Sequence, residues 1–198
     1  MKHSASPPVR PSRVRQRIFD TARVLFYRHG IRAVGVDAIA AAADTNKMSF
    51  YRHFESKDAL VAQCLRASND DYERWWKAIV APHAGDARAQ IEAVFAAHAR
   101  QLGGADSAGC ALGNAAIELR EDLPETRALI AAQKTSLRRR LRALAREAGA
   151  RDPAVLGDAL MLLLEGASFT RISVNGPGPH RHLPQALALL LDAGLPPR

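Results

Sequence analysis

The stretch ADTNKMSFYRHFESKDAL, residues 43–60, packs cations and aromatic rings around two short turns. Asp44-Thr45-Asn46 is a three-residue break, and Asn46 is a good N-cap for a helix beginning at Lys47. Advancing 100° per residue from Lys47 puts Phe50 and Phe54 together on one side. Met48 and Arg52 fall on the opposite side, Ser49 and Tyr51 flank that side, and Lys47 occupies the first turn. The two phenylalanines are therefore expected to anchor a short helix, about Lys47–Phe54, to a small core. Its far face then offers a guanidinium, a flexible apolar chain, a hydroxyl and a phenol.

A second short helix precedes the break. Val36, Ile39, Ala40 and Ala43 mark its buried stripe, and Gly35 stands at its N-cap. Helix, short turn, helix is the outline of a helix-turn-helix reader of duplex DNA. The exposed groups fit that use. Arg52 can donate to guanine O6 and N7, and Met48 can pack on a thymine methyl. Lys57 opens the following helix, where its charge adds to the positive end of the helix dipole and suits a phosphate.

Upstream, Val14, Ile18, Ala22, Leu25 and Phe26 recur at helical spacing, and Gly30 closes that segment. These three helices make a small N-terminal domain, residues 13–57, behind a basic Pro/Ser-rich arm, residues 1–12. Downstream, strand signals are nearly absent. A helix opens after Ser56 and runs to about Val80, where Pro82 ends it. Others are expected at 86–102, at 110–120, from Pro124 to about Ala148, from Pro153 to about Val174, and over the final segment, 182–195, with NGPGPHRH as a loop. The fold class is all-α, with residues 58–198 as a larger helical domain. In the helix from Pro124, Ile130, Leu137 and Leu144 repeat every seven residues. The run RRRLRALAR on its other side reads as a solvated basic face.

Charge is unevenly spread. Residues 1–60 carry 11 Lys+Arg against 5 Asp+Glu, while the other 138 carry 17 against 15. That asymmetry directs a polyanion to the first part of the chain. Cys64 and Cys110 belong to no CxxC pair and to no zinc-ligand cluster, so two reduced thiols in a cytoplasmic protein are expected, with no metal. No uninterrupted apolar run reaches the ~18 residues that span a bilayer, because the most apolar segment contains Asp158 and Glu165.

Residues 13–60 resemble the N-terminal domain of the TetR family of bacterial transcriptional repressors. ARVLFYRHGIRAVGVDAIAAAA followed by FYRHFESKDAL carries the likeness. The resemblance implies base-facing roles for Lys47 and Met48. It implies phosphate or base contact for Tyr51, and phosphate contact for Ser49, His53 and Lys57. The chain departs from the family pattern at four places: Asp44 where glycine is usual in the turn, Met48 where a small residue is common, Gly35 where a hydroxyl often caps, and Asp37 where a cation sometimes reads a base.

The resemblance also implies a homodimer, a palindromic operator and a small-molecule effector whose binding moves the fourth helix and spreads the reading heads. The apolar segments 153–174 and 182–195 are the candidate pairing surface. Candidate effector contacts are Trp75, Trp76, Phe95, His98, Cys110, Asn114, Glu118 and Phe169. Two other classes fit the sequence less well. His98, Cys110 and Glu118 lack the surroundings of a catalytic set, so no enzyme is expected. A basic helical module docking on an anionic membrane or an acidic protein would show a broad apolar face with no core to fill.

Overall fold

The computed structural model describes residues 12–119, 123–174 and 177–196. Apart from Ser12, the expected basic arm lies outside the described residues. Among those described, every regular element is helical. The helices are α1 (Arg13–His29), α2 (Val36–Ala42), α3 (Lys47–His53), α4 (Lys57–Val80), α5 (Ala87–Leu102), α6 (Ala111–Leu119), α7 (Pro124–Glu147), α8 (Pro153–Ser173) and α9 (Leu183–Gly194). Short 3-10 turns cover Ala81–His83 and Pro179–His182. The second falls within the expected NGPGPHRH loop, and Pro179 at its first position supplies a φ already suited to a helical turn. The chain divides into two compact units, Met1–Cys64 and Leu65–Arg198, and the division falls within α4.

Local sequence explains the helix ends of the first unit. Ser12 caps α1 by accepting from the Arg15 N–H at 3.1 Å, and Gly30, at φ 87°, ends it. The core is Ile18, Ala22 and Phe26 of α1, Ile39 and Ala40 of α2, Phe50 of α3, and Phe54, Leu60 and Val61. Ile31 and Val34, in the connection from α1 to α2, are buried as well.

The second unit buries Phe95, Ile91, Leu141, Leu160 and Leu191 in one apolar cluster, with Trp76 at its edge. α7 and α8 approach closely because Gly157 lacks a side chain. A Cβ there would lie 2.6 Å from the Arg142 Cα, well inside contact distance. Asp158, one residue on, accepts both Arg138 and Arg142 in two-pronged pairs at 2.5–2.8 Å. Arg140 reaches Glu73 at 2.6 Å and lies 5.5 Å from the centre of the Trp76 ring. The basic run of α7 is thus partly structural rather than a plain solvated face. α8 has the length and apolarity to cross a membrane, with 21 residues and mean hydropathy 1.2. Its two acids, Asp158 and Glu165, are each paired with cations of α7.

Candidate DNA-binding helix and interior polar cluster

α3 stands on its two phenylalanines. Phe50 is fully buried and Phe54 nearly so, with ring centres 5.7 Å apart. Arg15 of α1 lies over the Phe54 ring at 4.7 Å and donates to Gln63 at 2.5 Å. Asn46 fixes the start of the helix by accepting the Ser49 N–H at 2.8 Å. The opposite face is open. Met48 is 75% exposed, and Lys47, Tyr51 and Arg52 are exposed too, while Ser49, His53 and Lys57 are half-buried. The Met48 thioether thus stands free on the open face, available to a partner.

The turn before α3 has a defined geometry. The Thr45 N–H donates to the Ala40 carbonyl at 2.9 Å and the Asp44 N–H to the Ala41 carbonyl at 3.1 Å. This paired closure of a helix end requires a left-handed residue. Here that residue is Asp44, at φ 47°. Arg17 of α1 donates to the carbonyls of Ala43 at 2.6 Å and Asp44 at 3.1 Å. A cation at a helix C-terminus satisfies carbonyls that no helical N–H can reach. Asp37, in the first turn of α2, accepts from Lys47 at 3.1 Å. Ser56 caps α4 by accepting the Ala59 N–H at 3.0 Å, which leaves Lys57 at that helix's positive end.

The second unit contains a polar cluster drawn from separate elements. Lys134 of α7 donates to both carboxylate oxygens of Glu165 of α8 at 2.6 and 2.8 Å, and its ammonium lies 3.5 Å from the Cys110 Sγ. Cys110 precedes α6, and its sulfur accepts the Gly113 N–H at 3.4 Å. Burial alone would lower the Lys134 pKa, but Cys110 and Glu165 outweigh it and raise it. Tyr72 of α4 is pushed up by burial, with Cys110 and Glu165 adding to the rise. His98 of α5 meets Ser168 of α8 at 3.0 Å. The Ser168 hydroxyl donates to the Leu164 carbonyl, so the ring N–H of His98 is the donor to Ser168. Burial pulls the His98 pKa down and favours its neutral form. A partly buried ion pair is weak evidence for stability, because desolvation consumes most of its Coulomb gain. Such a group is a better pointer to binding.

Of the expected effector contacts, His98 and Cys110 belong to this cluster. Asn114 donates to the Ala108 carbonyl at 2.8 Å and holds the loop before α6. Trp76 and Phe95 lie in the apolar core, with Trp75 packed against it. Glu118 is half-buried near the end of α6. Phe169 is 55% exposed. Sequence reasoning missed Tyr72, Lys134, Glu165 and Ser168. One available signal was the presence of acids inside an otherwise apolar helix, which need cationic partners.

The family model of bacterial regulatory proteins of the tetR family matches residues 18–64. The chain is 33% identical over 106 residues to the HTH-type transcriptional repressor DhaR of Mycobacterium sp. (strain GP1), a match covering 54% of this chain and 52% of that protein. It is 40% identical over 80 residues to the HTH-type transcriptional repressor KstR2 of Rhodococcus jostii (strain RHA1), covering 40% of this chain and 39% of that one. The matched part thus spans about half or less of these curated relatives. The fold extends further. SCO4454, a TetR-family transcriptional regulator from Streptomyces coelicolor, superposes with a TM-score of 0.77 at 25% identity over 93% of this chain and 89% of that one. The turn and the buried rings of α3 fall within residues 18–64, and that part of the chain is a domain of the bacterial regulatory proteins of the tetR family.

Proposed function

We propose that the chain is a cytoplasmic, sequence-specific DNA-binding regulator, a repressor that leaves a palindromic operator when a small molecule binds its second unit. The observation that carries this reading is the two-sidedness of α3. Phe50 and Phe54 are buried, while Met48, Tyr51 and Arg52 face outward beside Lys47. In this reading Lys47, Met48 and Arg52 address base edges, with Tyr51 at a base or phosphate. Ser49, His53 and Lys57 hold the DNA backbone. Residues 13–57 are the reading domain, and residues 58–198 bind the effector and a second copy of the chain.

Pairing is supported by α8, where Val155, Leu162 and Phe169 stay exposed at seven-residue intervals, with Leu189 of α9 also exposed. A stripe of large apolar side chains at that spacing suits a second helix of the same kind. The effector is assigned to the cluster of Tyr72, His98, Cys110, Lys134, Glu165 and Ser168. A molecule there need only favour the DNA-incompetent state over the competent one.

Selection of bound sequences from a random duplex pool tests the reading. A palindromic consensus with half-sites about 34 Å apart, one turn of duplex, is expected. Arg52→Ala should relax base preference at one position of each half-site. Lys57→Ala should weaken all sequences alike. Recovery of no consensus at low salt would defeat the assignment. Equal binding to anionic vesicles would point instead to the membrane-docking module.

A further inference from the structure

A second feature of the Leu65–Arg198 unit is not accounted for by DNA binding or by the interior cluster. Beyond His98 on α5 and Ser168 on α8, the two helices end beside the 3-10 turn Pro179–His182. They frame a groove of about 620 Å³. Its lining includes Arg100 and Gly103 from the end of α5, Arg171 from α8, and His180 and Arg181 from the turn. Three arginines thus line one concavity, and among the described residues no acidic residue lines it.

The three arginines are not alike. Arg171 is structural, because its Nε donates to the Leu102 carbonyl at 2.9 Å and one terminal nitrogen to the Gly104 carbonyl at 3.3 Å. It closes the C-terminal end of α5, where carbonyls lack helical partners. Arg100 and Arg181 are exposed, and neither side chain makes a hydrogen bond or ion pair among the described residues. His180 is nine-tenths buried, and its Nδ1 has no hydrogen-bond partner among the described residues. Its ring packs on Gly178, where a Cβ would come within 3.0 Å of that nitrogen. The groove floor is therefore rigid, and its rim carries cations that repel one another.

Convergent guanidiniums without a counter-charge are unfavourable in the empty groove and favourable around an oxyanion. The planar fork of arginine matches both oxygens of a carboxylate or phosphate. We propose that this groove is a binding site for a small organic oxyanion, with Arg100 and Arg181 as its ligands and Arg171 and His180 as its rigid wall. The chemistry common to phosphate and carboxylate groups is what the groove recognises. The site is separate from the interior cluster and does not depend on how that cluster is used.

Calorimetric titration of the full chain tests the proposal. One series uses pyrophosphate and inorganic phosphate, and another uses succinate and citrate. All are run at about 0.15 M salt, where the screening length is ~8 Å and diffuse attraction is weak. Saturable binding, one anion per chain, is expected in at least one series, and the series that binds identifies the group. The double variant R100Q/R181Q should weaken binding about tenfold or more. R100K/R181K, which keeps the charge and loses the fork, should fall between. R139Q, which removes an exposed arginine of α7 outside the groove, should bind as the unsubstituted protein does. Because Arg171 is untouched, the double variant should melt no lower than the unsubstituted protein without anion. Absence of saturable binding in both series would overturn the proposal. So would equal weakening by R139Q, which would mean that net charge alone attracts the anion.

Discussion

Lys47 and Asp37 form an ion pair across the helix-turn-helix, Nζ to Oδ2 at 3.1 Å, with both side chains largely exposed. The cation that opens α3 is thus held by an acid on α2. Such an exposed pair contributes only about 0–1 kcal/mol to stability. Under the proposed function its larger effect is on binding, since DNA would compete with Asp37 for Lys47. Asp37→Asn is expected to leave the melting temperature nearly unchanged and to tighten duplex binding severalfold at low salt, the gain shrinking as salt screens the removed acid from the polyanion. Electrophoretic titration over a range of salt concentrations checks this. A drop in affinity confined to particular sequences would mean instead that Asp37 accepts from a base.

The turn contains a second testable feature. Asp44 sits at φ 47°, a conformation that costs most L-residues about 1–2 kcal/mol and aspartate somewhat less. Arg17 grips the backbone carbonyls of Ala43 and Asp44, not the carboxylate, so replacing the side chain leaves that contact intact. Asp44→Gly should raise stability by up to about 1 kcal/mol, the relief being partly offset by the freer unfolded chain. Asp44→Val should lower it by more than about 1 kcal/mol. Urea midpoints of the two variants decide the matter. If valine is tolerated as well as glycine, the left-handed turn is not a constraint in solution.

What was legible in the sequence was local. The cap at Asn46, the stop at Gly30 and the phenylalanine spacing in α3 each act over a few residues, and the structure places each as the spacing requires. What was not legible depends on distant partners. Lys134 meets Glu165 across 31 positions and Cys110 across 24. Neither partner has a local pattern that names the other. The arginines of α7 read as a solvated face in the sequence because their periodicity shows only which side they occupy. Three of them are fixed by Glu73 and Asp158 on other helices. Gly157 sits in an apolar run with no turn signal, and only the approach of Arg142 explains it.

Asp158 makes the second unit sensitive to acid. Hydrogen bonds from Arg138, then Arg142, hold its carboxyl well below the usual carboxylate range. The folded state therefore resists protonation more than the unfolded chain, whose aspartates titrate at about 3.9. The stabilisation is fully present above that value and is lost as the pH falls below it toward the depressed folded pKa. Asp158→Asn should lower the urea midpoint at pH 7, and the gap to the unsubstituted protein should narrow at about pH 3. A gap of the same size at both pH values would show that Asp158 contributes by packing and not through its charge.

Cys64 and Cys110 should differ sharply as nucleophiles. Cys64 is buried among the helices of the first unit, and burial, only partly countered by Arg23, pushes its thiol up to about 12. At pH 8 its thiolate fraction is then about one in ten thousand. Cys110 is half-buried, with the Lys134 ammonium 3.5 Å from its sulfur and the Gly113 N–H at 3.4 Å. Its sulfur is thus the more accessible of the two. A disulfide reagent added to the native protein should therefore titrate one thiol quickly and the second only on unfolding. Cys110→Ser should remove the fast phase, and Cys64→Ser should leave it unchanged. Removing Lys134 alone would leave the half-buried Glu165 carboxylate without its cation and destabilise the fold. Lys134→Met combined with Glu165→Leu avoids that loss, since replacing an ion pair with apolar groups of similar volume is often neutral. In that folded double variant the fast phase should slow. If its rate is unchanged, Lys134 does not activate the sulfur.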